Sequence, residues 1–372
     1  MRIAQIAPLY EAVPPPAYGG TERVIAALCD GLVDAGHDVV LFAAGTSSTR
    51  AELRPMTPAP LRTRMGRQEL IEVSPHLHLK MLAEVYRSGD FDVIHAHTDV
   101  WTMPFANVAE GPTVVTLHGR LDLPQVTAVL SLYPDVPLVA ISDSQRSALD
   151  DVALNWAGTV HHGLDLSRYL DAPRTAGDHL AFVGRASIEK RLDIAIALAR
   201  QAGRELHIAA KVDPLDVAYF ETHVEPLLGN DTRFIGEITE QDKPAFFAGA
   251  RATLFPADWP EPFGLVMIES LAAGTPVIAL RRGSVPEILV DGVTGFVCDD
   301  VADMAAAIER VDEIDAADCR RRALEFSREA MCERYLGIYR QLAGLPGSSK
   351  GYPSLTTLAA TRREERSWNC AR

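Results

Sequence analysis

Short apolar runs alternate along the whole chain with longer stretches in which apolar residues recur every third or fourth position. This is the pattern of α/β units: buried parallel strands read as near-continuous apolar runs, and the helices between them are amphipathic. The first run is RIAQIAP (2–8), followed by a proline-rich loop that ends in Tyr18-Gly19-Gly20. Thr21 reads as an N-cap, and ERVIAALCDGLVDAG (22–36) has helical spacing. Further strands are predicted at DVVLFAA (38–44), FDVIHAH (91–97), TVVTLHG (113–119) and PLVAISD (137–143).

The pattern then breaks. The segment HHGLDLSRYLDAPRTAGD (161–178) is polar, has no sustained period and reads as a linker. A second series follows: HLAFVGR (179–185), ELHIAAK (205–211), TRFIGE (232–237), ATLFPA (252–257), PVIAL (276–280) and GFVC (295–298). Two successive doubly wound sheets fit this better than one large sheet, with domains expected at 1–165 and 166–328. Residues 329–343, EAMCERYLGIYRQLA, form a further amphipathic helix, and 344–372 read as a mobile tail.

Composition narrows the function. The 372 residues, 47% hydrophobic and 23% charged, are enough for two cores. A net charge of −14 argues against general attraction to nucleic acid, so no nucleic-acid partner is expected. Cys29, Cys298, Cys319, Cys332 and Cys370 are scattered, as reduced thiols are, without the pairing of a zinc site. No run has membrane-spanning length and no signal peptide is apparent, so the expected location is cytoplasmic.

The most specific chemistry lies in Asp258-Trp259-Pro260-Glu261-Pro262-Phe263-Gly264-Leu265-Val266-Met267-Ile268-Glu269. The segment leaves a strand, turns through prolines and enters a helix near Gly264, whose free first amides suit a phosphate. Glu269, inside that helix, can accept hydrogen bonds from a vicinal diol, while Glu261 stays on the loop. A second element, Phe182-Val183-Gly184-Arg185-Ala186-Ser187-Ile188-Glu189-Lys190-Arg191, leaves another strand end. There Arg185 and Lys190 can neutralise a diphosphate, each charged hydrogen bond contributing about 1.5–3 kcal/mol. Gly19-Gly20 allows close backbone approach before a helix, and His118 closes the run TVVTL.

Glu261 and Glu269, separated by seven residues within EPFGLVMIE, resemble the signature of the family 4 retaining glycosyltransferases with the GT-B fold. The resemblance extends over roughly residues 1–343. It implies two Rossmann-like domains facing each other across a cleft, with the 329–343 helix crossing back to the first. It implies that Glu269 binds the nucleotide ribose and Glu261 the donor sugar, with amides around Phe263, Gly264, Leu265 and Val266 on the sugar and phosphates. Arg185 and Lys190 match the family's phosphate-binding pair, although Arg191 stands where a glycine usually follows the lysine. His118 matches the histidine that contacts the donor sugar, commonly at its 6-position, and backbone near Ile238 would read the base.

The implied function is retaining, metal-independent transfer of a hexose-like sugar from a nucleotide-diphosphate sugar, UDP first and GDP second, to a hydroxyl-bearing acceptor, with no cofactor. Alternatives are an epimerase or a phosphorylase on the same fold, or a non-catalytic nucleotide-sugar-binding protein. Three other features take plainer readings. Asp90-Phe-Asp92 opens a strand rather than binding a metal. His95 and His97 share a strand face, for packing or acceptor contact. The basic stretch Arg50, Arg54, Arg62, Arg64 and Arg67 reads as a solvated loop, with an anionic acceptor or peripheral membrane contact as the sharper alternative.

Overall fold

The computed structural model of the chain describes residues 1–17, 19–175 and 177–345. The strands of the first sheet are β1 (Arg2–Ile6), β2 (Asp38–Ala44), β3 (Glu52–Thr57), β4 (Val93–Ala96), β5 (Thr113–Thr116), β6 (Leu138–Ala140) and β7 (Trp156–Thr159). They lie in the order β3-β2-β1-β4-β5-β6-β7. The second sheet contains β8 (Leu180–Arg185), β9 (Leu206–Lys211), β10 (Thr232–Gly236), β11 (Ala252–Phe255), β12 (Val277–Leu280) and β13 (Gly295–Cys298), in the order β10-β9-β8-β11-β12-β13. Neighbouring strands are parallel throughout.

Double burial explains the continuous apolar runs. In β2, Val39, Leu41 and Ala43 enter one core while Val40 and Phe42 enter another on the opposite face. The sequence pattern misses the two edge strands of the first sheet. β3 is half exposed, with Glu52 and Arg54 paired on it, and β7 is only partly buried, so neither carries an apolar run. The basic stretch is a loop only at Arg50: Arg54 lies on β3, and Arg62, Arg64 and Arg67 on short helices at Leu61–Arg64 and Arg67–Glu72. Arg50 and Arg62 are neutralised by Asp34 and Glu11.

Two local readings need correction. The first helix runs Gly20–Asp34 with Gly19 at the cap and no side-chain cap bond, so Thr21 lies inside it. The segment 161–178 is not a solvated linker, because His161, His162, Leu164, Leu166 and Tyr169 in it are buried. It passes the start of the last helix, Arg328–Leu342, where Leu164 exchanges backbone bonds with Phe326 and Arg328. A β-carbon on Gly163 would lie 2.3 Å from the Ser327 carbonyl oxygen, so only glycine fits this crossing.

Ser327 caps that last helix through the Ala330 amide. The helix returns from the second sheet to pack on Gly20–Asp34, and it buries Tyr335 and Tyr339 beside His95 of β4. Among the described residues no helix is long and apolar enough to cross a membrane. The tail from 346 onwards lies outside the described residues.

Candidate active site

Each sheet reverses its strand order at one point, between β1 and β4 in the first and between β8 and β11 in the second. Chains leaving the carboxyl ends on either side of such a point diverge and open a crevice. The two crevices meet as one cleft of about 690 Å³. Gly19, Gly20 and His118 line it from the first domain, and Arg185, Lys190, Ile238, Glu261, Phe263, Gly264, Leu265, Val266 and Glu269 from the second.

Two helix N-termini meet in this cleft. Gly264 precedes the helix Leu265–Ala272 at φ 78°, a left-handed conformation that favours glycine, and a β-carbon there would also displace the Met267 methyl, 2.7 Å away. Opposite it, a β-carbon on Gly20 would come within 3.3 Å of Leu265 Cδ1. The amides of Gly20 and Thr21 in one helix and of Leu265 and Val266 in the other precede the first intrahelical bonds, the Met267 amide already donating to the Gly264 carbonyl, and both helix dipoles present their positive ends to the cleft.

Glu269 is fully buried on the fifth residue of its helix. Its Oε1 accepts from Arg23 Nη2 (2.6 Å), the Tyr169 hydroxyl (2.7 Å) and Lys243 Nζ (3.3 Å). Burial alone would raise the pKa of this carboxyl, but Arg23, Lys243 and the Tyr169 hydroxyl outweigh it and bring it to about 2. Oε2 is buried without a partner. One fixed, charged acceptor oxygen is thus left for an incoming hydroxyl. Arg23 comes from the first domain and also binds Glu240 at 2.7 Å, so it ties the two domains together at this acid. Glu287 forms a second tie, accepting from the amides of Asp143 (2.9 Å) and Ser144 (2.8 Å) and pairing with His161.

Glu261 sits on the preceding loop, paired with Lys190 and accepting from Trp259 Nε1 at 2.8 Å. The Lys190 ammonium also lies 5.3 Å from the Phe255 ring and 5.4 Å from the Trp259 ring. Arg185 is more loosely held, 3.6 Å from Asp216 and 3.9 Å from Glu189. Arg185 can therefore turn toward an anion entering the cleft, whereas Lys190 is held at its wall by Glu261.

His118 Nε2 lies 2.8 Å from His97 Nδ1, and its own Nδ1 is buried without a partner. Burial pushes its pKa down to about 3, so the ring is neutral in use. Its backbone amide donates to Asp99 Oδ1 at 3.0 Å. Asp99 (φ 44°) and Arg191 (φ 53°) are the non-glycine residues with positive φ among those described, and each adjoins the site: Asp99 binds His118 and Arg191 follows Lys190. Backbone strain gathers where the surroundings enforce it. The histidines at 95 and 97 both serve packing, with ring centroids 4.0 Å apart, and His97 also reaches the cleft.

Several of these partners escape a reading of the sequence. Arg23, Tyr169 and Lys243 on Glu269 carry no motif of their own, while Trp259 lies inside the Asp258–Glu269 segment and His97 reads only as a strand-face residue. Of the three on Glu269, Arg23 has a local cue, standing within the first turn after the glycine pair.

Glu22 also lines the cleft and is 7% exposed. Burial raises its pKa from 4.5 to about 6, against its own backbone amide. A carboxyl whose folded pKa is raised costs stability once ionised, so Glu22→Gln should stabilise the fold by about 2 kcal/mol above pH 6. The gain should fade as the pH falls from 6 to 4.5, where the acid is neutral in both states. Thermal melts of both proteins across that range provide the check, and a pH-independent difference would exclude the linkage.

The family described as Glycosyltransferase Family 4 matches residues 18–219, and the one described as Glycosyl transferases group 1 matches residues 174–326. The chain is 30% identical to a glycogen synthase of Mycobacterium tuberculosis over 375 residues, covering 87% of this chain and 89% of that protein. It is 27% identical to a phosphatidyl-myo-inositol mannosyltransferase of Mycolicibacterium smegmatis, over 92% of this chain and 95% of the relative. Among solved structures, AviGT4, a glycosyltransferase involved in avilamycin A biosynthesis, superposes with a TM-score of 0.68 at 25% identity, covering 92% of this chain and 98% of that one. With the two facing sheets and their shared cleft, these likenesses establish that the chain belongs to Glycosyltransferase Family 4 and is a glycosyltransferase of the GT-B fold.

Proposed function

We propose that this enzyme transfers a hexose from a nucleotide-diphosphate sugar to an acceptor hydroxyl, with retention of the anomeric configuration and without a metal. The observation that carries the donor reading is Glu269: a fully buried, charged carboxylate with one oxygen unpartnered, beside two opposed helix N-termini. A ribose hydroxyl satisfies that oxygen, and the diphosphate then falls among the helix amides, Arg185 and Lys190. Glu261 and His118 hold the sugar, and backbone near Ile238 reads the base, UDP being the first candidate and GDP the second.

Catalysis follows from charge. As the glycosidic bond breaks, the ring becomes positive and the diphosphate gains negative charge, which Arg185, Lys190 and the amides stabilise. These cations supply what a divalent ion would otherwise supply. The stabilisation lies on the leaving-group side, so the acceptor attacks from that face and the leaving phosphate takes its proton. Tyr10, Trp101 and Asp99 on the first-domain wall face the acceptor. The relatives' names point to different acceptors, a glucan in one and a phosphoinositide in the other, so the acceptor is not carried over from either.

Proton NMR of the product tests the reading. An α-linked nucleotide sugar should give an α-linked product, in the presence of excess EDTA as in its absence. A β-linked product would overturn the retaining mechanism. Activity lost to EDTA and restored only by Mg²⁺ or Mn²⁺ would overturn metal independence.

A further inference from the structure

Behind His118 a continuous chain of buried hydrogen bonds runs back to the last helix. Gln5 and His95 are fully buried and His97 is 1% exposed, so each polar atom on them needs a partner inside the protein. Gln5 Nε2 donates to the Tyr339 hydroxyl at 3.1 Å, and Gln5 Oε1 accepts from His97 Nε2 at 2.9 Å. The Tyr339 hydroxyl donates in turn to His95 Nδ1 (2.6 Å), and His95 Nε2 donates to Thr116 Oγ1 (2.7 Å), which also meets the Tyr335 hydroxyl at 2.9 Å. His97, neutral because it is buried and carrying its proton on Nε2, can only accept at Nδ1. His118 Nε2 must then be the donor in the 2.8 Å contact between the two rings.

From this chain we propose that Gln5, His97 and Tyr339 are positioning residues that fix His118 as the Nε2–H tautomer, so that its Nδ1 lone pair receives a hydroxyl of the donor sugar. His118 Nδ1 is the ring nitrogen left free, buried and without a partner. His162 stacks on the same ring at 5.1 Å, holding its plane. Reversing every bond would leave a proton on His118 Nδ1, an N–H on a rigid ring with nothing to receive it. The forward direction, from His118 Nε2 as donor, instead leaves the spare proton on the Thr116 or Tyr335 hydroxyl, which can rotate toward another acceptor. A buried orphan N–H is the costlier end. The inference rests on the proposed nucleotide-sugar transfer and extends it to the sugar's class. With the 6-hydroxyl as that partner, the position the family resemblance implies, the site takes a neutral hexose and rejects a uronate, whose C6 carboxylate would set lone pairs against a lone pair.

Nitrogen-15 NMR of the histidine rings in the unliganded enzyme tests the tautomer directly. His118→Gln identifies the signals, and the couplings to Hδ2 and Hε1 separate Nδ1 from Nε2. The expected spectrum has the proton on Nε2 and a bare Nδ1 whose resonance moves on adding UDP-glucose but not UDP. UDP-glucuronic acid should bind roughly tenfold or more weakly than UDP-glucose. His97→Leu should mix the His118 tautomers and reduce that preference, while His97→Asn, which keeps an acceptor, should preserve both. A proton on His118 Nδ1 in the wild-type enzyme overturns the proposal, and so does UDP-glucuronic acid binding as tightly as UDP-glucose. If UDP itself fails to raise the melting temperature, the UDP reading falls separately, because the tautomer is read without any ligand.

Discussion

Glu269→Ala should destabilise the protein by about 3–5 kcal/mol and also abolish tight binding of both the free nucleotide and its sugar conjugate. The stability loss follows from burial. Arg23 and Lys243 lie against a carboxylate with no exposure to solvent, and once it is gone only the partly exposed Glu240 is left to neutralise them. The pKa gives the same sign. The carboxyl titrates at about 2 in the folded chain against an ordinary 4.5, so its contribution is complete above pH 4.5 and is lost as the pH falls through 2. Acid unfolding between those limits should be less steep in the variant. The binding loss follows from the unpartnered oxygen, because the ribose is present in both ligands.

Glu261→Ala separates the two acids. Its carboxylate holds Lys190 and Trp259, so its removal frees Lys190 for the diphosphate and should leave UDP affinity within about threefold. Sugar transfer should fall steeply. Calorimetric titration of both variants with UDP decides the division, and equal losses of UDP affinity would refute it.

The second large effect belongs to the cations. Lys190→Ala and Arg185→Ala should each lower kcat by about 10²–10³ at saturating donor, the scale of removing one preorganised donor from developing charge. Lys190 should be the more severe, since it is the more enclosed: its side chain is 17% exposed against 33% for Arg185. Arg185→Lys should recover part of the loss, because a single charge remains without the planar fork. A loss below tenfold in both variants, measured in single-turnover experiments that isolate the transfer step, would show that the leaving group is stabilised elsewhere.

The sequence by itself determined what repeats locally. Every strand buried on both faces announced itself as an apolar run, and the turn from Asp258 into the Leu265–Ala272 helix was readable because its prolines, Gly264 and two acids are contiguous. The strands β3 and β7 were not readable, because their side chains are only partly buried and have no reason to be apolar along the strand. Thr21 misled because the glycine pair, rather than a hydroxyl, starts that helix. The segment 161–178 looked like a linker because its burial comes from distant parts of the chain: Gly163 packs on Ser327 and Met331, and Tyr169 reaches Phe247 and Glu269.

Tertiary structure alone decided the partners. Arg23 reaches Glu269 across 246 positions, Tyr169 reaches it across 100, and Gln5 meets His97 across 92. Such pairs have no period and no fixed spacing, since they form wherever two sheets and a returning helix happen to bring buried polar atoms within reach. Local pattern records which residues must leave water. The charge of Glu269, the neutrality of His118 and the oxygen or nitrogen each leaves free are set by which groups meet them after the chain has folded.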